Sequence, residues 1–401
     1  MRYLHVGPNQ ETPVKTILLL ISSVAALVLI TTTCLAEAPS IPTFSDKPIW
    51  VSGSTYSGGD GNARLLDVDN DGDLDLITSV PKPRRWAVYR NKNGKLASKP
   101  QWESLETTDC DHISVLDFNK DGRDDIAGTH ESHCSLYING TGKGEAPFGM
   151  SPTWETGTYI DANQIDFGDC DNDGDYDMLM AAGLPHLGLA LFVNENGFPS
   201  KTVSRRIGPR QYSESAIFAD IDSDGDQDIV GTYPKTGTII VFANKGGGDF
   251  DEGTLVYKDQ MVRHVQRVYC VDIDNDGSKE LFCAKGPWGP PGRSVGLSRQ
   301  DGSKTMKVVW TSGSRTGYHG FDFRDVDNDG DLDMAAADWG ARRVSIYLQD
   351  KGVLSNKPVW SAPTTGPAHE AVFGDIDGDG DLDLVVGCLD QAMLFENTSA
   401  K

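Results

Sequence analysis

The chain is short of positive charge. It sets 36 Lys+Arg against 59 Asp+Glu, a formal net charge of -23 over 401 residues. Nucleic-acid binding needs a basic footprint to neutralise phosphates, so that class is excluded. Cysteine is also scarce, with seven in all and six once Cys34 near the N-terminus is set aside. So few thiols in so long a chain make no disulfide framework, and the fold must hold by other means. An H-E-x-x-H metalloprotease motif and a phosphate loop are both missing. An apolar fraction of 38% still supplies a core, which excludes a disordered acidic chain.

The N-terminus reads as a targeting segment. Lys15 precedes the apolar run "ILLLISSVAALVLI" at 17–30, which fits a secretory h-region and is short for a membrane span. Small residues in "TTTCLAEA" place the cleavage after Ala36. Residues 1–36 are therefore read as a signal peptide, 37–44 as a linker, and the mature chain as secreted, periplasmic or on the cell surface. The alternatives are a retained anchor, if the apolar stretch is counted through Ala36, and lipidation at Cys34, which the three preceding threonines disfavour.

What is abundant is aspartate, and it is periodic. "DVDNDGDLD" begins at Asp67, and related nonapeptides begin at Asp117, Asp169, Asp220, Asp272, Asp325 and Asp375. Successive starts lie 50, 52, 51, 52, 53 and 50 residues apart. Seven copies at near-constant spacing mark a repeat architecture. Two residues before each first Asp stand Leu65, Val115, Phe167, Phe218, Cys270, Phe323 and Phe373, nearly all large and apolar. Runs such as "LITSV" and "MLMAA" follow the last acid, then strands such as "WAVYRN" and "VSIYLQ", then segments such as "KPQW" and "KPVW". Short apolar and β-branched runs separated by Gly and Asp read as four strands per unit.

The fold class is therefore all-β, a seven-bladed β-propeller of four-stranded antiparallel blades over residues 45–398. "SDKPIW" at 45–50 matches "SNKPVW" at 355–360 but precedes the first repeat, while the last repeat lacks its fourth strand. An N-terminal strand around Trp50 is thus expected to complete the last blade. Closing the ring removes exposed sheet edges.

The acidic nonapeptides have the spacing of a cation loop. Oxygen ligands recur at positions 1, 3, 5 and 9: Asp67, Asp69, Asp71 and Asp75; Asp117, Asn119, Asp121 and Asp125; Asp169, Asp171, Asp173 and Asp177; Asp220, Asp222, Asp224 and Asp228; Asp272, Asp274, Asp276 and Glu280; Asp325, Asp327, Asp329 and Asp333; Asp375, Asp377, Asp379 and Asp383. Alternate spacing lets a turning backbone aim successive carboxylates at one centre, and calcium takes six to eight oxygens. Position 6 is glycine in every copy, where the loop needs a positive φ. Up to seven calcium ions are expected. Magnesium prefers fewer protein ligands and more water. Asn119 and Glu280 depart from the pattern and are expected to weaken their sites. These loops hold more than half of the chain's 59 acids, and seven divalent ions would cancel more than half of the net charge.

"FGDCDNDGD" from Phe167 and "FGDIDGDGD" from Phe373 carry a family resemblance. The repeats resemble the FG-GAP/VCBS type of integrin α-chain propellers and secreted bacterial proteins. The resemblance implies calcium in the hairpin between the first two strands of each blade. It does not choose a function, since relatives bind proteins or sugars and some are enzymes.

Function is expected on the face opposite those hairpins. His112, His130, His133, His186, His264, His319 and His369 all fall in loops of that face. Six residues before each first Asp stand Gly61, Asp111, Asn163, Glu214, Gln266, His319 and His369, a column expected to ring the channel mouth. Arg84, Arg85, Arg210, Lys235, Arg263, Arg293, Arg315 and Arg342 surround it, with Trp86, Tyr212, Trp288, Tyr318 and Trp339. Aromatic platforms suit sugars and arginine suits carboxylate or sulfate. The candidate ligand residues are Asp111, His112, Glu214, Gln266, Arg315, Tyr318, His319 and His369. The first reading is a monomeric binding module for a glycan or a surface protein. The second is an enzyme such as a lyase on an acidic polysaccharide, with His319 or His369 as base, Tyr318 as its partner and Arg315 as neutraliser. A calcium scaffold alone is the third. Among the cysteines, Cys170 and Cys270 read as core residues, while Cys110–Cys134 and Cys270–Cys283 are geometrically open pairings.

Overall fold

The computed structural model describes residues 41–53, 61–80, 85–106, 111–130, 132–140, 147–157, 159–259, 265–286, 292–299, 305–313 and 315–399. The targeting segment, Arg84, Cys110, Arg263, His264 and Trp288 lie outside the described residues. Among the described residues there is no helix, hence none long and apolar enough to cross a membrane.

Each repeat forms one four-stranded antiparallel sheet. Blade one comprises Ala63–Leu66, Asp75–Val80, Arg85–Tyr89 and Trp102–Glu103. Blade two comprises Ile113–Leu116, Asp125–Thr129, Cys134–Tyr137 and Trp154–Glu155. Blade three comprises Ala162–Gly168, Asp177–Ala182, Leu189–Phe192 and Arg205–Ile207. Blade four comprises Ala216–Ala219, Asp228–Tyr233, Thr238–Phe242 and Thr254–Lys258. Blade five comprises Arg267–Val271, Glu280–Ala284, Val295–Arg299 and Met306–Thr311. Blade six comprises Tyr318–Arg324, Asp333–Asp338, Arg343–Tyr347 and Trp360–Pro363. Blade seven comprises Ala368–Gly374, Asp383–Cys388 and Ala392–Phe395, with Trp50–Val51 beside the last of these. The innermost strands neighbour one another in order, and that of blade seven neighbours that of blade one, so the ring is closed.

The apolar runs become the second strands because these are covered on both faces by adjacent blades. Every residue of Asp177–Ala182, Asp228–Tyr233, Asp333–Asp338 and Asp383–Cys388 is buried. Small residues there let blades approach: a Cβ on Gly128 would lie 2.3 Å from the Trp86 ring.

Polar clasps join the blades in a repeating way. An Asn or Gln after the third strand donates its amide to the loop of the preceding blade: Asn91 to Ile376 O at 2.7 Å, Asn139 to Val68 O at 2.9 Å, Asn244 to Cys170 O at 2.7 Å and Gln349 to Ile273 O at 2.8 Å. Outer tryptophans reach the next blade, with Trp50 Nε1 donating to Ala97 O, Trp102 to Phe148 O and Trp310 to Ser355 O at 2.9–3.1 Å. Buried amides left unmatched would each cost about 1–3 kcal/mol, so these clasps fix the spacing of the ring. Disulfides are not the staple: Cys134, Cys170, Cys270, Cys283 and Cys388 are free thiols. That excludes the Cys270–Cys283 pairing and leaves Cys134 unbridged.

Candidate functional site

Two sets of polar groups are positioned by the innermost strands, one at each end. At one end each strand turns into an acidic hairpin. The position-1 carboxylate accepts the backbone N–H groups of positions 5 and 6 in all seven copies, at 2.8–3.1 Å. Two residues per loop take positive φ. The glycine at position 6 was legible in the sequence (Gly72 at 95°). Position 4 was not: Asn70, Lys120, Asn172, Ser223, Asn275 and Asn328 sit at 55–62°. Position 9 is the buried anchor. Its carboxylate accepts the position-2 N–H in every loop and, in six, the backbone N–H of the Asn or Gln that follows the third strand.

The spacing does converge the acids. Ligand atoms of Asp67, Asp69 and Asp71 fall within 4.8 Å of one another, as do those of Asp169, Asp171 and Asp173, of Asp220, Asp222 and Asp228, and of Asp272, Asp274 and Asp276. Packing so many carboxylates together is costly without a cation. Burial, aided by like-charged neighbours, pushes Asp75, Glu280, Asp333 and Asp383 up to about 7 and Asp125 and Asp228 up to about 6. Two loops recruit an internal cation: Arg90 pairs with Asp69, and Arg123 pairs with Asp121. The second is the loop in which Asn119 replaces an acid.

Toward the other end the strands open onto the axis. Residues of the innermost strands line an axial cavity of about 610 Å³, among them Arg64, His112, Gln164, Asp166, Tyr269, Asp322 and Glu370, and the cavity reaches Leu116 and Asp124 at the hairpin end. Asp166 and Asp322 also clasp neighbouring blades, accepting Phe218 N at 2.8 Å and Phe373 N at 2.9 Å. Above them lies a buried charge cluster. Glu370 pairs with Arg267 and, at 3.3 Å, with Arg64. Burial alone would raise the Glu370 carboxyl, but the two guanidinium groups outweigh it and hold it at about 2. Arg64 Nη2 lies 3.4 Å from His112 Nε2. Arginine can only donate, so this nitrogen accepts and the His112 ring is neutral.

A β-bulge adds to the mouth. The inner strands of blades three, six and seven slip register at Asn163, His319 and His369. A bulge re-aims its side chain, so two consecutive residues serve the axis instead of one. The His319 and His369 rings stack at 3.7 Å between centroids, with Trp339 at 5.7 and 5.8 Å. Both imidazoles are 5% exposed, and their Nδ1 atoms have no hydrogen-bond partner among the described residues. Burial drives both well below the ordinary histidine range, so both are neutral at neutral pH.

The expected column is therefore only partly assembled. His319, His369 and His112 meet around Glu370 and Arg267, and Arg267 donates to Asp111 O at 3.2 Å. Glu214 accepts from Tyr212 Oη, and burial raises its carboxyl. Gln266 is buried against Gly286, where a Cβ would collide with its carboxamide. Gly61 packs on His369. Tyr318 does not join the mouth: it is 3% exposed in the blade-six core, with its hydroxyl bonded to Tyr347. Arg315 is exposed in the preceding loop, and Trp86 is core rather than a platform. Alternation explains both errors, since neighbouring residues of a strand face opposite sides. Arg64, Arg267 and Glu370 were missed, although they lie three or five residues before their acidic loops, the spacing that faces the axis.

A family model described as FG-GAP-like repeat matches residues 67–128, 117–180, 220–283, 272–336 and 325–386. No curated protein matches the chain. Among solved structures, the crystal structure of BBS1N in complex with ARL6DN, soaked with lead, superposes with a TM-score of 0.56 at 11% identity. The match covers 91% of this chain and 99% of that one. At that identity the likeness speaks for the fold alone.

Proposed function

The chain belongs to the FG-GAP-like repeat family, and from that premise we propose that it is an exported, calcium-stabilised propeller. It works as a binding module for a glycan or a surface protein. The acidic hairpins are the calcium sites, at up to one ion per blade. Converging oxygens, positive-φ loop positions and carboxyls raised by burial and, secondarily, by like-charged neighbours fit a loop for a hard divalent cation.

The binding surface is the axial mouth at the opposite end. The observation that carries this is the stacked His319–His369 pair, presented by two bulges beside Trp339 above the Arg64–Glu370–Arg267 cluster. The half-buried Trp339 indole offers a flat face to a sugar ring, and the buried His319–His369 stack backs it with ring nitrogens that can exchange hydrogen bonds with hydroxyls reaching the mouth. The arginines favour a ligand carrying carboxylate or sulfate. A lyase on an acidic polysaccharide is the second reading. It is favoured by neutral imidazoles, able to take a proton, beside fixed guanidinium groups.

The test is an array of uronate-containing and sulfated glycans and of extracellular proteins, run in calcium with wild type and Trp339→Ala. Removing the indole takes away a flat apolar platform, so retention should drop at least about tenfold in the variant if the mouth is the site. Equal retention by both proteins moves the site elsewhere. Turnover to unsaturated uronates, followed by ultraviolet absorbance, would replace the binding-module reading with the lyase.

A further inference from the structure

The seam between blades one and two carries a cluster of metal-ligating atoms that the acidic repeats do not explain. Glu106 follows the outer strand of blade one. His130 and His133 flank the turn between the second and third strands of blade two. The turn folds both imidazoles onto one carboxylate: His133 Nε2 lies 2.8 Å from Glu106 Oε1, and His130 Nε2 lies 2.9 Å from Oε2. One ligand atom from each residue falls within 4.8 Å of the others. No other turn among the described residues sets two histidines against a glutamate.

The three side chains are held from behind. Ser132 Oγ meets the outer ring nitrogen of His133 at 2.9 Å. Trp86 stacks on His130 at 5.0 Å, and His130 stacks on His133 at 4.7 Å. Ser135 Oγ and Tyr137 Oη each donate to Glu106 Oε2 at 3.1 Å. Metal-ligating histidines and carboxylates are oriented in this way by groups that are not ligands themselves. Side-chain exposure grades from 2% at His130 to 14% at Glu106 and 21% at His133, so the cluster is closed at its base and open at its rim. An ion has an entry path.

We propose that Glu106, His130 and His133 form a site for a divalent first-row transition-metal ion of the zinc class, separate from the calcium hairpins. The donor set decides the class. Two imidazole nitrogens and one carboxylate suit zinc and its neighbours, whereas calcium takes oxygens only. Bonds to such an ion run about 2.0–2.2 Å, and ligand atoms 2.8–2.9 Å apart already lie near the edges of its coordination shell. Three protein ligands match the donor count of open zinc sites rather than closed structural ones. The site stands independently of the reading of the axial mouth.

The experiment uses the full chain, cleared of transition metals and saturated with calcium so that the hairpins are filled. Cobalt(II) is titrated first and displaced with zinc(II), while absorbance and calorimetry follow binding. The expected result is one cobalt per chain with a visible d–d spectrum, displaced by one zinc, and a melting temperature raised by zinc. His133→Gln and Glu106→Gln, each at a rim position, should weaken zinc by at least about tenfold and abolish the zinc-dependent rise in melting. A wild-type protein that takes up no stoichiometric zinc above its calcium-saturated background overturns the proposal. So does unchanged zinc affinity in both variants. The wild-type titration stands whether or not the variants fold, and their calcium-saturated melts show whether they do.

Discussion

The two ends of the innermost strands solve the same problem in opposite ways. At the hairpin end, carboxylates are gathered with little built-in countercharge beyond Arg90 and Arg123. At the axial mouth, charges of both signs are built in, and Glu370 is neutralised by Arg64 and Arg267. The carboxyls therefore shift oppositely: Asp75, Asp333 and Asp383 rise to about 7, and Glu370 falls to about 2. The hairpins repeat seven times because they serve the ring. The mouth is assembled once, from different residues on different blades. Repetition marks what the fold needs, and departure from repetition marks where chemistry is concentrated.

Removing the cation should have the largest effect. Chelating calcium should lower the melting temperature by on the order of 20 °C or more, because up to seven occupied sites each add about 2–4 kcal/mol at saturating ion. An unchanged melt in chelator would refute the calcium assignment. Next in size is Glu370→Ala, which leaves two guanidinium groups at the mouth without their carboxylate. It should cost about 3–5 kcal/mol in denaturant unfolding with calcium present. A variant as stable as wild type would mean that water, not Glu370, balances the arginines.

The smallest effect is the most diagnostic. In chelator, lowering the pH from 8 to 5 should raise the melting temperature. The position-9 acids bind protons more tightly folded than unfolded, so their penalty is full above about 7 and fades as pH falls toward the unfolded value near 4. Buried His112, His319 and His369, held below the ordinary histidine range, oppose part of that rise, because the unfolded chain takes up protons that the folded rings refuse. The Glu370 carboxyl contributes no slope in that window. Its folded value is about 2, so its stabilisation is lost only as pH falls below the unfolded carboxylate range. With calcium present, the ions hold the acids charged and the slope should vanish or reverse. A melt that falls with acid in both conditions would show that the crowded hairpin carboxylates do not govern the response.

Much of the hairpin end was legible because its rule is local. Asp67, Asp69, Asp71, Gly72 and Asp75 act within nine residues, and their spacing alone states which oxygens converge. Even there, the left-handed residue at position 4 escaped notice, since Asn, Ser and Lys share the column. The mouth was legible only as a neighbourhood. His319 and His369 lie at bulges beside the axis, whereas Tyr318, placed in the same ligand set, packs on Tyr347 in the core. Glu106 carried no signal at all, because its partners His130 and His133 come from the next blade.

The repeat, the four strands per blade, the ring of seven and the acidic loops follow from periodicity and from contacts between residues close along the chain. Which side chains meet on the axis and at the blade seams follows from the packing of the blades. A bulge of one residue turned His319 and His369 inward, and ring closure brought Arg64 of blade one, Arg267 of blade five and Glu370 of blade seven to one point. Their distances along the chain are set by no local rule. They are fixed only once seven sheets have packed around a common centre.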